Sequence, residues 1–389
     1  MKSNPQGPRW ALAAAFSAAL IAGCGGGGGD TTPRAQVSAV KVFGDSLADV
    51  GTFGYKFTVQ GSASLIYPER VSQSYGLSVG CPFFKFTGTT FIPNPTSGCT
   101  NYAVGGGVIN GPGSGLTAAD PRNLNVQLAA AVAGGNYAAG DLLIVDGGGN
   151  DAATLVGAYL KAATDGGASY VAVLGTQLTP AQVGAAVAGG AAGLAAAGST
   201  YMTALADTYW GLIKSQALDK GAQRVAVLNM PGITNTPRFQ TVLDSIAAAS
   251  GGGTAGASAR AQSEALFKGW VVAFNTQLAA RANGVAAVAV VDFYTSFNDQ
   301  VSNPAQFLLT NVKTPACPIT GVGSDGLPTY TFPTCTDAAL SAQTPPAGAT
   351  GGANWWKSYA FSDSFHPTPY GHQLLAQLIS RTLANAGWL

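Results

Sequence analysis

A chain of 389 residues has room for one large domain or two small ones, and 47% hydrophobic residues supply a sizeable core. Only 10% of residues are charged, against roughly 25% in an average soluble protein, and the formal net charge is +1. No basic patch or acidic tail stands out, which argues against nucleic acid as a partner, and the Gly-rich, low-charge composition suits an exported protein.

Lys2 and Arg9 precede an apolar run from Trp10 to Ile21, too short to span a bilayer comfortably and shaped like the core of an export signal. It ends in Leu20-Ile21-Ala22-Gly23-Cys24, followed by glycines 25–29. Small residues just before a cysteine resemble a bacterial lipobox. That resemblance implies cleavage before Cys24 and lipidation of Cys24, with residues 24–36 as a flexible tether. Plain cleavage with Cys24 as a bystander is the alternative. Gly25 after the cysteine favours an outer-membrane or surface lipoprotein; a periplasmic or secreted protein is the other option.

The apolar segments that follow alternate in type. Val37–Phe43 reads as a first strand, Asn101–Val104 as a short second, Asp141–Asp146 as a buried third, Arg224–Met230 as a fourth and Val285–Phe293 as a fifth. Helices are expected at Thr200–Lys220, at Ala257–Ala282 with Leu266, Trp270, Phe274 and Leu278 on one face, and after Pro367 with Leu374, Leu375, Leu378 and Ile379 inward. Strands alternating with helices indicate an α/β fold with a parallel, doubly wound five-stranded sheet in a single domain over residues 37–389. The Ala/Gly tract from Ala181 to Gly198 is too weak a driver of insertion for a membrane span. Loop insertions are expected near residues 57–98 and 303–352.

Four cysteines remain besides Cys24. An even count in an exported chain reads as disulfide-bonded, and of three pairings Cys81–Cys99 and Cys317–Cys335 close short loops containing Pro and Gly. Zinc is a poor alternative, because no CxxC occurs and the chain holds two histidines.

The chemistry begins at Gly44-Asp45-Ser46-Leu47, where the first strand ends. Gly-Asp-Ser is ordinary turn chemistry, but it also presents a hydroxyl that a base could activate. Both histidines, His366 and His372, lie in one stretch, Phe361 to His372. Asp363 stands three residues before His366, close enough to fix the ring's tautomer as the acid of a serine triad does. A helix cap is the competing reading of this loop, and His372, inside the helix, is the weaker candidate base. Turns at Gly105-Gly106-Gly107 and Gly147-Gly148-Gly149-Asn150 also follow expected strands. In a parallel sheet such turns share one edge, so Ser46, Gly106 and Asn150 become neighbours and supply oxyanion donors.

These four blocks resemble those of the SGNH, or GDSL, hydrolases, over a span from about residue 38 to the C-terminus. Gly44–Leu47 matches the first, Asn101–Gly107 the second, Gly148–Asp151 the third and Asp363–Pro367 the last. Ala48-Asp49-Val50-Gly51 is similar to the continuation seen in the secreted bacterial lipase/esterase branch. The resemblance implies a flavodoxin-like three-layer α/β/α sandwich. It also implies ester hydrolysis by Ser46, His366 and Asp363, an oxyanion hole of Ser46, Gly106 and Asn150, and no metal or organic cofactor. Three consecutive glycines leave the oxyanion amide uncertain by one position.

A nucleotide-binding module is the rival reading, weakened by the lack of GxGxxG after a strand and of GxxxxGK[ST]. No G-x-S-x-G elbow supports an α/β-hydrolase, and a non-catalytic binding protein on the same fold would have no need of the four intact residues. The substrate is a small-molecule or lipid ester; acyl esters, lysophospholipids, acetylated sugars and polyesters all fit. Phe83, Phe84, Phe86, Phe91, Trp355, Trp356 and Tyr359 either form an apolar substrate wall or cover the core beneath long loops. Oligomeric state is not legible.

Overall fold

The computed structural model describes residues 1, 36–78 and 80–389. The leader, Cys24 and nearly all of the tether fall on residues 2–35, outside the described residues. In chain order the elements are β1 (Ala39–Phe43), α1 (Tyr67–Ser74), β2 (Phe84–Phe86), β3 (Phe91–Pro93), α2 (Leu124–Val132), β4 (Asp141–Val145) and α3 (Gly149–Asp165). Then come α4 (Ala168–Leu174), α5 (Pro180–Ala188), α6 (Gly190–Gln216), β5 (Val225–Leu228), α7 (Pro237–Ala249), α8 (Gly253–Ala282), β6 (Val288–Val291) and α9 (Phe293–Ser302). Two short strands, β7 (Gly321–Val322) and β8 (Pro328–Thr329), precede α10 (Asp337–Ala342) and α11 (Pro369–Asn385).

The central sheet has four strands in the order β1-β4-β5-β6, all parallel. The fifth expected strand, Asn101–Val104, is not a strand of its own. It lies along the free edge of β1, with Val42 N–H donating to Thr100 O at 3.1 Å and Tyr102 N–H to Val42 O at 2.7 Å, and makes only an isolated bridge at Asn101. The Asn101 side chain accepts from Ala103 N–H and donates to Ala48 O, which turns this segment out of regular pairing. The sheet is therefore four-stranded, with this segment as a partial fifth.

Both faces of the sheet are covered, and period-two alternation sends successive side chains to opposite layers. Leu143, Val145, Val225 and Val227 pack with residues of α2, α3, α6 and α8. Leu142, Ile144, Ala226 and Leu228 pack with residues of α1, α9 and α11. The result is a three-layer α/β/α sandwich, and every residue of β4 is buried.

The Ala/Gly tract forms α5 and the start of α6, and no helix of the described residues is long and apolar enough to cross a membrane. α11 follows Pro367 as expected and begins at Pro369. Thr368 accepts from Gly371 N–H as N-cap and Pro369 occupies the first turn, so Pro367 and His366 remain in the preceding loop.

Both cysteine pairs are joined, Cys81 to Cys99 and Cys317 to Cys335, with Cα–Cα distances of 4.7 and 5.6 Å. Two disulfides fit an extracytoplasmic, oxidising compartment. The second closes a small satellite core in which Trp355, Trp356 and Tyr359 are buried, so those three rings cover the core beneath the insertion and form no substrate wall. The two insertions meet each other: Gln60 N–H donates to Cys335 O and Asp337 N–H to Gln60 O, both at 2.8 Å.

Candidate active site

The sheet's C-terminal edge carries the turn 44–49, and hydrogen bonds hold almost every backbone donor in it. Gln127 on α2 clamps Gly44, accepting its N–H at 2.8 Å and donating to its carbonyl at 2.9 Å. Asp45 N–H donates to Asp146 Oδ1, and Leu47 N–H to Asp45 Oδ1. Ala48 and Asp49 N–H both donate to Asp45 O. Among the described residues, Ser46 N–H has no partner in the protein. A donor spared in a turn that otherwise satisfies its backbone is open to a ligand.

The same accounting resolves the three consecutive glycines. Gly105 N–H donates to Asp49 Oδ2 at 2.8 Å, and Gly107 N–H to Val104 O at 2.9 Å. Among the described residues Gly106 N–H has no partner, and Gly106 is exposed with a left-handed φ of 77°. A Cβ on Gly107 would overlap Gly44 O, so the Gly105–Gly107 turn and the Ser46 turn lie against each other. Asn150 sits at the start of α3, its Nδ2 donating to Gly107 O at 2.9 Å and lying 3.4 Å from Asp45 Oδ2.

The loop before α11 completes the cluster. Ser362 N–H donates to His366 O at 2.8 Å, pinching residues 362–366 into a tight turn. Inside it, Asp363 Oδ1 accepts Phe365 and His366 N–H at 2.8 and 2.6 Å, and Asp363 Oδ2 takes the His366 ring Nδ1 at 2.8 Å. His366 Nε2 lies 2.7 Å from Ser46 Oγ, across 320 residues of sequence. With Nδ1–H donating to the carboxylate, the network assigns Nε2 as acceptor of the serine proton. Burial raises the Asp363 carboxyl, but the His366 charge and the hydrogen bonds to His366 outweigh it and hold the acid below its ordinary range. It therefore stays ionised beside the ring. Ser46 and Asp363 are 5% and 7% exposed, which keeps the relay out of bulk water while its tip meets the cleft.

His372 is elsewhere. It is fully buried on α11, its ring stacked on Tyr67 with centroids 6.4 Å apart, and neither ring nitrogen has a partner. Burial holds it well below the usual histidine range, so it stays neutral as a core side chain.

The family model for GDSL-like Lipase/Acylhydrolase matches residues 40–379. The chain belongs to this family. No curated protein matches it significantly. As a GDSL-like acylhydrolase it carries several site-supporting residues that the sequence did not reveal. Gln127 is one of two polar residues, with Asn125, in a largely apolar helix, and nothing local marks it as the clamp on Gly44. Asp49 was visible only as part of a motif, yet its two oxygens tie Gly51, Thr52 and Gly105 together. Asp146 accepts Asp45 N–H and the Tyr67 hydroxyl. An acid directly after the apolar run Leu142–Val145 was the available signal for Asp146.

Three buried acids of this GDSL-like site favour protonation. Burial pushes Asp45 up and Asp146 beside it adds to the effect; burial also raises Asp146, opposed by its hydrogen bonds from Tyr67 and Asp45. Asp151 accepts Ile109 and Asn110 N–H, yet burial still raises it from 3.8 to about 6. A raised folded-state value gives stability that is complete below the unfolded value and is lost as pH rises through the folded one. The stability of the wild type relative to an Asp151→Asn variant should therefore fall, by on the order of 1 kcal/mol, between pH 5 and pH 8. Urea unfolding of both proteins at the two pH values measures this; a flat or rising difference contradicts it. Taking the difference cancels the opposite trend from His372.

Proposed function

We propose that the protein is a serine carboxylester hydrolase, an esterase or lipase that works through Ser46, His366 and Asp363. The observation that carries this reading is the unbroken hydrogen-bonded line from Ser46 Oγ through both His366 nitrogens to Asp363. Ser46 Oγ attacks the ester carbonyl carbon while its proton passes to His366 Nε2. The new oxyanion sits among Ser46 N–H, Gly106 N–H and the Asn150 amide, the first two being backbone donors the protein leaves free. The carbon–alkoxide bond then breaks and His366 returns the proton to the departing alcohol. Water attacks the acyl-Ser46 ester, gives a proton to His366, and the acid leaves as the proton goes back to Ser46 Oγ. Asp363 keeps its negative charge throughout and stabilises the imidazolium.

Removing one oxyanion donor typically costs about 10²–10³ in turnover. Asn150→Ala should lower kcat on p-nitrophenyl acetate by about that factor with KM little changed. A loss expressed in KM alone would remove Asn150 from the hole. Lipidation of Cys24 would hold this hydrolase at a membrane surface; the Leu20–Cys24 pattern supports it.

A further inference from the structure

Two unequal cavities flank the Ser46–Asn150 cluster. The first opens beside Leu47 and Gly149, the neighbours of Ser46 and Asn150, and has a volume of about 40 Å³. Its walls are mostly apolar, with Ile233, Phe293, Phe297, Phe361 and Phe365, although Asp45, Asp146, Asn229 and Thr236 also line it. The back wall is core. Phe297 packs edge-on against Phe293 and Phe361, with centroids 5.8 and 6.0 Å apart, and all three are buried. Close packing of this kind leaves no give for a longer chain. At about 10–15 Å³ per water-sized sphere, the cavity takes a chain of roughly three or four heavy atoms.

The second cavity is wide and open, with a volume of about 530 Å³. It begins at Gly105, next to the free Gly106 N–H, and runs along Phe53, Phe86 and Phe91 to Asp120 and Arg122. The three rings sit with centroids 5.0–5.8 Å apart and are only partly buried. Arg122 is fixed by two hydrogen bonds to Asp120 and lies 6.0 Å from the Phe91 centroid. A guanidinium has five N–H donors, so this one keeps donors to spare beside the aromatic floor.

Resting on the Ser46 reading above, we infer that the natural substrate joins a short acyl group, seated in the smaller, mostly apolar cavity, to a bulky alcohol that offers both a ring face and hydroxyls to the open groove. The acyl half stays covalently attached after the first step, so the smaller and more enclosed cavity suits it. The alcohol must leave at that step, so it belongs in the cavity open to solvent. An O-acetylated sugar has this chemistry; a long-chain lipid does not.

The test is kcat/KM for p-nitrophenyl acetate, butyrate and octanoate, together with ethyl acetate and an acetylated monosaccharide. A cavity of fixed depth should place octanoate about 50-fold or more below acetate. Phe297→Leu deepens the cavity and should raise the octanoate-to-acetate ratio about fivefold or more. Phe91→Ala should lower the ratio of acetylated sugar to ethyl acetate about fivefold, mainly through KM. Wild-type preference for octanoate overturns the inference without any variant, and unmoved ratios in folded variants do the same. Failure to cleave any of the esters, acetate included, would instead overturn the Ser46 reading and this inference with it.

Discussion

Ser46→Ala is expected to lose ester hydrolysis by about 10⁴-fold or more while keeping its fold, and His366→Ala should match it. Both residues act in one proton relay, so removing either disables the same step, and the double variant should be no worse than the singles. The serine side chain meets the protein through a single hydrogen bond to His366, so its loss leaves no buried group stranded. His372 gives the contrast. It is buried without partners, and an apolar replacement of similar volume should keep activity. Assays on p-nitrophenyl acetate, with far-UV circular dichroism to confirm folding, measure all four proteins. Activity retained in Ser46→Ala would refute the relay.

The second large effect is on folding. Gly44 has a φ of 150°, and a Cβ there would overlap the Asp146 carboxylate. That approach is what allows Asp146 to hold Asp45 N–H and so to set the Ser46 turn. Gly44→Ala combines backbone strain with a steric clash against a buried acid, and should destabilise the protein by more than about 4 kcal/mol in urea unfolding. Adding Asp146→Ala removes the clash but not the strain. The double variant should then lose less than the sum of the two single losses, because the residues share one contact. Strict additivity would mean that Asp146 does not constrain position 44.

Features written in consecutive residues were legible in the sequence. β1, β4, β5 and β6 show as apolar runs, the blocks around Ser46, Gly106 and Asn150 show as turns after expected strands, and the His366 block shows as a loop before the last helix. Features that depend on distant partners were not. The Asn101 segment has strand-like residues, but the Asn101 side chain bonds to Ala48 and Ala103 and breaks the ladder. The choice among Gly105, Gly106 and Gly107 is invisible until Asp49 and Val104 are seen to occupy two of the three amides. Trp355, Trp356 and Tyr359 looked equally suited to a substrate wall and to a core. The Cys317–Cys335 insertion folds over them and makes them core. Phe86 and Phe91 are only partly buried and line an open groove. The two cavities beside Ser46 arise from residues spread between positions 45 and 367.

The most direct test of the account is covalent trapping. The folded wild-type protein is treated with a p-nitrophenyl phosphonate ester, digested and mapped by mass spectrometry. One adduct is expected, on Ser46, forming in step with loss of esterase activity and suppressed in His366→Ala. An adduct on another residue that tracks inactivation, or full inactivation with Ser46 unmodified, would contradict it.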